Sequence, residues 1–214
     1  MFKIKILITG ASGFIGSALV QKFESDGYTV LRTTRTPHGP GIYWDLSRDE
    51  MPLEALEGLE GVIHLAGENI ASARWTKRKK EEIFISRVRG SWLVSHALLR
   101  LKVPPRFFFS ASAVGYYGNR GDEILTEESR QGSGFLAEVC GKWEEASDVL
   151  KQRGVRVIHG RFGSVVDPAG GMLQRLLPIF KMGLGVQMGD GKQWMSWITR
   201  EDLVRAIEWI VFKT

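Results

Sequence analysis

The sequence predicts an α/β fold in which helices cover both faces of a doubly wound parallel sheet. Short apolar runs rich in β-branched residues alternate with longer amphipathic segments along the chain. The 214 residues are 43% hydrophobic, which is enough for one domain with a full core. We therefore expect residues 1–165 to form the main domain and residues 166–214 to form a small lobe with a closing helix.

The alternation gives a definite order of elements. The apolar runs predict strands at residues 3–8, 29–33, 41–44, 61–65, 106–110 and 155–159. The amphipathic segments predict helices at residues 14–25, 76–101, 134–153, 172–181 and 200–212.

The most glycine-rich stretch, residues 168–191, follows the last predicted strand. It has the composition of an insertion or lid over the sheet. The large aromatic residues at 193–198 could line a pocket, but we expect them to pack this lobe onto the main domain because aromatic side chains mostly contribute burial.

Several features exclude classes of function. No apolar run approaches the ~18 to 20 residues of a membrane span, and the first residues enter a strand directly instead of forming a secretion signal. Cys140 is the only cysteine and the four histidines lack ligand spacing, so no disulfide or metal site is predicted. We expect a soluble protein of the cytoplasm, or of an organelle matrix, with no membrane partner.

The net charge of +5 suits a protein that binds either a polyanionic nucleotide or a nucleic acid. Its densest basic cluster, residues 77–80, is followed directly by Glu81 and Glu82. We interpret the cluster as a solvated helix face with internal ion pairs. Nucleic acid is therefore not expected as a partner.

The clearest motif is the glycine turn at residues 9–16 (Thr-Gly-Ala-Ser-Gly-Phe-Ile-Gly), between the first predicted strand and helix. In a Rossmann-type site the first glycine permits a tight turn, the second admits a pyrophosphate, and the third allows close helix packing. The following helix N-terminus attracts the phosphates. The predicted phosphate-binding residues are Gly10, Ser12, Gly13, Phe14, Ile15 and Gly16.

The end of the second predicted strand indicates which dinucleotide binds. NAD sites usually place Asp or Glu there, to accept a hydrogen bond from the ribose 2′-hydroxyl. This chain has Thr34 and Arg35, which can bind a 2′-phosphate with charge assistance. The predicted cofactor is therefore NADP(H), and Arg32 is a weaker candidate for the same contact.

Further motifs resemble the short-chain dehydrogenase/reductase superfamily, in its extended and atypical branch. Within that branch the chain is similar to epimerase family proteins, which resemble sugar-nucleotide epimerases and of which some carry the label of cell division inhibitor. The similarity lies in residues 9–16, 44–45, 64–69, 86–87, 110–118, 142–144, 161–163 and 196–198.

The resemblance implies positions for further cofactor contacts. Asp45 would lie beside the adenine, and residues of the segment after the fourth strand would line the cleft. Glu82 and Arg87 would face the cofactor from the next helix, although Glu82 also fits the solvated charge run, and Arg161 would lie near the nicotinamide. The full set implied is Thr34, Arg35, Asp45, Leu65, Ala66, Gly67, Glu82, Arg87 and Arg161.

The predicted helix at 134–153 lacks the Tyr-x-x-x-Lys pair with which catalytic members of the superfamily transfer a proton. Ser112 matches the superfamily's catalytic serine, and Tyr116 is a candidate for a displaced tyrosine. Tyr116 and Tyr117 also fit a purely structural role at a turn.

Three hypotheses follow from these observations. The chain is an NADP-dependent oxidoreductase or epimerase acting on an unidentified carbonyl or sugar-nucleotide-like small molecule, or a non-catalytic NADP(H)-binding module, or, on charge alone, a nucleic-acid-associated protein. Because relatives continue past residue 214, the resemblance implies a C-terminal substrate lobe that is either truncated or minimal, with a more open pocket in both cases. It also implies a homodimer, with residues 76–101 and 134–153 as candidate interface helices.

Overall fold

Strands and helices alternate through the computed structural model, which describes residues 4–47, 51–187 and 189–213. Two 3-10 helices, Val114–Tyr117 and Val149–Arg153, interrupt the series. In chain order the other elements are β1 (Lys5–Thr9), α1 (Phe14–Ser25), β2 (Thr29–Thr34), β3 (Ile42–Tyr43), α2 (Leu53–Leu56), β4 (Gly61–His64), α3 (Lys77–Leu99), β5 (Phe107–Ala113), α4 (Phe135–Asp148), β6 (Arg156–Phe162), β7 (Ser164–Asp167), α5 (Gly171–Lys181), β8 (Trp197–Thr199) and α6 (Arg200–Lys213).

Six strands form one parallel sheet in the order β3-β2-β1-β4-β5-β6. From β1 the chain adds β2 and β3 on one side and then returns to add β4, β5 and β6 on the other. The strand order therefore reverses between β1 and β4, which is the position where doubly wound sheets bind ligands. The predicted α/β class is confirmed.

Alternating side chains of the central strands build a core on each face of the sheet. Leu7 and Phe108 pack on one face with residues of α3, whereas Ile6 and Ile8 pack on the other face with residues of α1 and α6. All four of these side chains are fully buried. Strands that are covered on both faces explain why the sequence shows continuous apolar runs.

The predicted carboxyl ends of β5 and β6 are wrong. β5 continues to Ala113 and β6 to Phe162, because the two strands pair over seven residues each, with Ser112 opposite Arg161. The predicted helix at 134–153 ends as an α-helix at Asp148 and continues as a 3-10 helix. α2, β7 and β8 were not predicted, and all three are four residues long or shorter.

The region after β6 forms a small lobe in which β7 pairs with β8 in parallel. The expectation that the aromatics of residues 193–198 pack this lobe onto the main domain is wrong, since Trp194 is 80% and Trp197 62% exposed. Trp194 is held instead by a hydrogen bond from its Nε1 to Asp122 Oδ1 at 2.7 Å. Among the described residues, no helix is long and apolar enough to cross a membrane.

Candidate functional site

The glycine turn connects β1 to α1 at the point where the strand order reverses. Gly10 has a φ of +67°, and a Cβ there would lie 2.9 Å from the backbone nitrogen of Ala66. A Cβ at Gly16 would lie 2.2 Å from the carbonyl oxygen of Gly10. Gly10 and Gly16 are therefore required by the fold of the turn itself, and Gly16 packs against the turn more than against the strand.

Gly13 has a different environment from the other two glycines. It is exposed, and its N–H donates to the carbonyl oxygen of Gly10 at 2.9 Å. Gly13 is also the N-cap residue of α1, where the described structure has neither a side-chain cap nor an acidic residue in the first turn. The first amides of α1, which include those of Phe14 and Ile15, are thus available to an anion beside exposed Ser12.

A buried hydrogen-bonded pair joins β1 to β4 beneath this turn. The Thr9 hydroxyl lies 2.7 Å from His64 Nδ1 and accepts from the backbone N–H groups of Leu65 and Ala66, at 3.2 Å each. Burial lowers the pKa of His64 to about 3, so its ring is neutral in the folded protein. Sequence reasoning missed this pair, because nothing in the sequence places a threonine and a histidine 55 residues apart in contact.

The segment after β4, residues 65–69, is held by α3. Arg87 Nη1 donates to the carbonyl oxygen of Glu68 at 2.9 Å, and the backbone N–H of Glu68 donates to Ser86 Oγ at 3.0 Å. A Cβ on Gly67 would lie 3.5 Å from the guanidinium carbon of Arg87. Leu65, Ala66, Gly67 and Arg87 therefore lie together at the carboxyl end of β4.

Thr34 and Arg35 lie at the end of β2, on the same edge of the sheet. Thr34 Oγ1 accepts from the backbone N–H of Thr36 at 3.2 Å. Arg35 is exposed and, within the described part of the chain, makes no hydrogen bond or ion pair. Arg32, in contrast, is paired with Glu24 at 2.5 Å. Of these two arginines, Arg35 is therefore the one that is available to a ligand.

Two other predicted cofactor residues already have partners in the protein. Asp45 is half-buried and accepts from the Tyr43 hydroxyl at 3.3 Å and the Ser47 N–H at 2.8 Å. Glu82 is paired with Arg78 at 2.9 Å, as expected for the solvated charge run. Lys79 is the exception in that run, since it is only 7% exposed.

A second polar cluster lies at the carboxyl ends of β5 and β6. Ser112 Oγ donates to Glu144 Oε1 at 2.6 Å, and Arg161 binds the same carboxylate with Nε and Nη2 at 2.9 and 2.8 Å. Burial alone would raise the pKa of Glu144, but hydrogen bonds from Arg161 and Ser112 outweigh it and hold the pKa below its ordinary value. The carboxylate is therefore ionised and fully engaged.

The tyrosines beside this cluster also contact Arg161. Arg161 Nη1 donates to the Tyr117 hydroxyl at 3.0 Å and to the carbonyl oxygen of Glu127 at 3.0 Å. The guanidinium carbon lies 3.6 Å from the ring centroid of Tyr116. Arg161 thereby ties the 3-10 helix after β5 to the loop that follows it, and all of its nitrogens donate within the protein.

Two residues of α4 face the 3-10 helix after β5 with a spacing of four. A Cβ on Gly115 would lie 3.4 Å from Leu136 Cβ and 3.9 Å from Cys140 Sγ. This is the spacing of Tyr-x-x-x-Lys, but leucine carries no proton to transfer. Burial raises the pKa of the Cys140 thiol, so it is neutral as well. Among the described residues of α4, no tyrosine or lysine pair replaces them.

A glycine turn at the switch point of a parallel sheet, leading into an uncapped helix, defines the class of Rossmann-type α/β proteins. Residues 6–213 match the model of the NAD dependent epimerase/dehydratase family. The chain belongs to this family.

Relatives with epimerase names support the same assignment. The chain is 40% identical over 208 residues to epimerase family protein Mb2239 of Mycobacterium bovis, covering 96% of this chain and 68% of the relative. It is 35% identical to the chloroplastic SDR39U1 homolog of Arabidopsis thaliana, covering 96% of this chain and 61% of the relative. This chain thus spans about two thirds of the length of these relatives.

Solved structures of two similar proteins have the same fold. Human epimerase family protein SDR39U1 with NADPH has a TM-score of 0.86 and 30% identity, covering 98% of this chain and 70% of that chain. The nucleoside-diphosphate sugar epimerase of Corynebacterium glutamicum has a TM-score of 0.84 and 36% identity, covering 97% of this chain and 43% of that chain.

Proposed function

We propose that the chain binds NADP(H) at the carboxyl ends of β1, β2 and β4, as an epimerase- or oxidoreductase-like member of its family. The observation that carries the proposal is Arg35, an exposed guanidinium with no hydrogen bond or ion pair among the described residues, at the end of a strand next to β1. It is matched to a 2′-phosphate by charge and by its planar donors. The human relative with NADPH supports the same choice.

The residues present fit a dinucleotide. Gly13 is exposed and lacks the Cβ that would keep a pyrophosphate from the α1 amides. Thr34 and Arg35 would hold the 2′-phosphate, and Asp45 would face the adenine. Leu65, Ala66 and Gly67 would form the wall on the β4 side. When bound, the nicotinamide supplies hydride transfer.

For the reacting partner we propose a small molecule with a carbonyl or a sugar-nucleotide-like structure. The Corynebacterium relative, a nucleoside-diphosphate sugar epimerase, supports this class. Ser112 lies at the end of β5 and is the residue that would orient the reacting group. Its hydroxyl hydrogen is directed at Glu144, so Ser112 would accept a hydrogen bond from a hydroxyl group of the substrate.

A specific observation favours a second candidate function, a non-catalytic NADP(H)-binding module that regulates a partner. Leu136 and Cys140 face the 3-10 helix after β5 with the spacing of the missing tyrosine and lysine, and neither residue transfers a proton at neutral pH. The ring of Tyr116, the candidate for a displaced tyrosine, packs against the Arg161 guanidinium. Binding without turnover follows directly from such a site.

Calorimetric titration with NADPH and NADH tests the cofactor proposal. Arg35→Ala is expected to weaken NADPH binding by roughly tenfold or more and to leave NADH binding nearly unchanged, since one charge-assisted contact is lost. Arg32→Ala is the matched control, because Arg32 lies on the same strand but is paired with Glu24. Equal effects of the two substitutions, or no binding of either nucleotide, would refute the proposal.

Turnover separates the two functions once binding is established. The protein is mixed with NADPH and a panel of aldehydes, ketones and nucleoside-diphosphate sugars, and both cofactor oxidation and substrate epimerisation are followed. Consumption of NADPH, or epimerisation, that Ser112→Ala abolishes would identify an enzyme. Tight NADPH binding with no product across the panel would favour the binding module.

A further inference from the structure

Lys79 differs from the rest of its basic run. The neighbouring Lys77, Arg78 and Lys80 are exposed, whereas Lys79 is only 7% exposed. Its Nζ donates to Glu68 Oε1 and lies 3.8 Å from Glu82 Oε2. A lysine that is buried against two carboxylates is not a solubilising surface charge, since ordering and desolvating it is costly.

The partner of Lys79 lies near the proposed 2′-phosphate site. Glu68 follows β4 and Arg35 follows β2, and only β1 separates these two parallel strands. Strands lie ~4.8 Å apart, so the two strand ends are about 10 Å apart. The hydrogen bond from Lys79 is the largest cause of the lowered pKa of Glu68, and the attraction of Arg35 also contributes. An ionised carboxylate therefore lies close enough to Arg35 for the two charges to attract each other.

The backbone of Glu68 is held in this region. Its backbone N–H donates to Ser86 Oγ and its carbonyl oxygen accepts from Arg87, so both ends of its peptide are fixed to α3. Ser72 Oγ approaches the same carboxylate oxygen at 3.5 Å. If Lys79 were uncharged, the charge of Glu68 would therefore remain beside the end of β4 without its ammonium partner.

We infer that Lys79 determines cofactor specificity by neutralising Glu68, which leaves Arg35 available to the 2′-phosphate. Without the ammonium, Glu68 would repel the phosphate and attract the Arg35 guanidinium, as the carboxylate at the end of β2 does in NAD sites. Both effects weaken the binding of NADP(H) and leave the binding of NAD(H) almost unchanged. The inference rests on the proposed function and adds a determinant on α3 that does not itself contact the cofactor.

The test is a calorimetric titration of Lys79→Met with NADPH and NADH, at low and at high salt. We expect roughly a tenfold loss of NADPH affinity at low salt, a smaller loss at high salt, and less than about a threefold change for NADH. The double variant Lys79→Met/Glu68→Gln removes both charges and is expected to recover most of the NADPH affinity. Lys77→Met is the matched control, because it removes the same charge from an exposed position of the same helix.

The outcomes separate this inference from the proposed function. If the unmodified chain binds neither nucleotide, the proposed function fails and the role of Lys79 fails with it. If the unmodified chain prefers NADPH but Lys79→Met weakens both nucleotides equally, Lys79 is structural and only this inference is overturned. It is also overturned if Lys77→Met weakens NADPH binding as much as Lys79→Met does. The same holds if the double variant Lys79→Met/Glu68→Gln binds NADPH no better than Lys79→Met alone.

Discussion

The Thr9 hydroxyl oxygen lies 2.7 Å from Nδ1 of His64, and both side chains are fully buried. Because this oxygen accepts from the N–H groups of Leu65 and Ala66, its own hydrogen is directed at His64. We therefore assign the proton of the neutral ring to Nε2, which has no hydrogen-bond partner among the described residues. One hydroxyl thus ties the end of β1 to the segment that lines the proposed cleft.

Thr9→Val should destabilise the protein by about 2 kcal/mol, because an isosteric side chain leaves the Ala66 N–H and the buried His64 Nδ1 without their hydrogen-bond partner. Urea unfolding measures the change in free energy. Thr29→Val is the control, since Thr29 has no side-chain hydrogen bond among the described residues. Equal losses in the two variants would contradict the bridging role of Thr9.

His64 should make stability fall with acid. Burial lowers its folded pKa to about 3, whereas an unfolded histidine titrates near ~6.5. Below ~6.5 the unfolded chain binds a proton that the folded chain excludes, so stability is lost as pH falls, at about 1.4 kcal/mol per pH unit. Unfolding free energies at roughly pH 7 and pH 5 should differ by about 2 kcal/mol through this group.

The matched comparison replaces each of two histidines by asparagine. His64→Asn should flatten the pH dependence, whereas His38→Asn should not, because His38 is exposed. Asparagine also tolerates the φ of +60° at residue 38. An unchanged slope in His64→Asn would show that other groups dominate the acid sensitivity.

The glycine turn should separate folding from binding. Gly16→Ala places a methyl 2.2 Å from the Gly10 carbonyl and should cost about 3 kcal/mol or more of stability. Gly13→Ala meets its nearest atom at 3.1 Å and has an ordinary φ of −77°, so it should fold but bind NADPH weakly. Thermal unfolding measures the loss of stability, and calorimetry measures NADPH binding. A Gly13→Ala variant that binds NADPH normally would contradict the proposed role of Gly13 in admitting the pyrophosphate.

Gly58→Ala is the control for the glycine series. Gly58 has a φ of +74° and open space around it, so its substitution reports backbone strain alone, about 1 kcal/mol. A loss in Gly16→Ala no larger than this would mean that the turn adjusts to the methyl group.

The parts of the fold that depend on local pattern were predictable. The alternation of strands and helices, the glycine turn and the place of Arg35 after β2 all follow from neighbouring residues. The burial of Lys79 was not predictable, because its partner Glu68 comes from another element and the charge run around it is solvated. The packing of Trp194 onto the main domain was predicted wrongly, because Trp194 is exposed. The residue type indicates that an aromatic side chain tends to be buried, but it does not show which residues would cover it.

The same limit applied to the polar cluster at the carboxyl ends of β5 and β6. Ser112 and Arg161 were named from motifs, but Glu144, the residue that engages both, lies on α4 and reaches them only in the folded protein. A charge pair of this kind has no local signature. Glu144 does stand in one of the matching stretches, residues 142–144, but the match does not show which side chains its carboxylate contacts.

Glu144→Gln should reveal how much this cluster contributes to stability. It leaves the largely buried Arg161 guanidinium without its anionic partner, at a cost of about 3 kcal/mol. Ser112→Ala removes one hydrogen bond to the carboxylate and should cost about 1 kcal/mol. Glu145→Gln, on the exposed neighbour paired with Lys142, should change stability by less than about 0.5 kcal/mol.

The Glu144 cluster also predicts a pH effect of known sign. Because the folded pKa lies below the unfolded value, the unfolded chain is protonated first as pH falls. The stabilisation is therefore present above the unfolded pKa, ~4.3, and is lost as pH falls through the folded pKa. Glu144→Gln should lack this part of the acid transition in urea unfolding, and a transition identical to that of the parent would refute the assignment.

Phe14 should couple the glycine turn to the lobe. A Cβ on Gly170 would lie 2.3 Å from Phe14 Cδ2, so the ring occupies the space beside the N-terminus of α5, and the Arg200 guanidinium lies 5.1 Å from its centroid. No residue of α5 is buried, so no core side chain of its own anchors this helix. Phe14→Ala should therefore increase amide hydrogen exchange in α5 while α3 stays protected.

Gly170→Ala should have the same effect by displacing the ring, whereas Phe84→Ala, at an exposed position on α3, should leave α5 unchanged. Unaltered exchange in α5 for both Phe14→Ala and Gly170→Ala would mean that the lobe is held independently of the glycine turn.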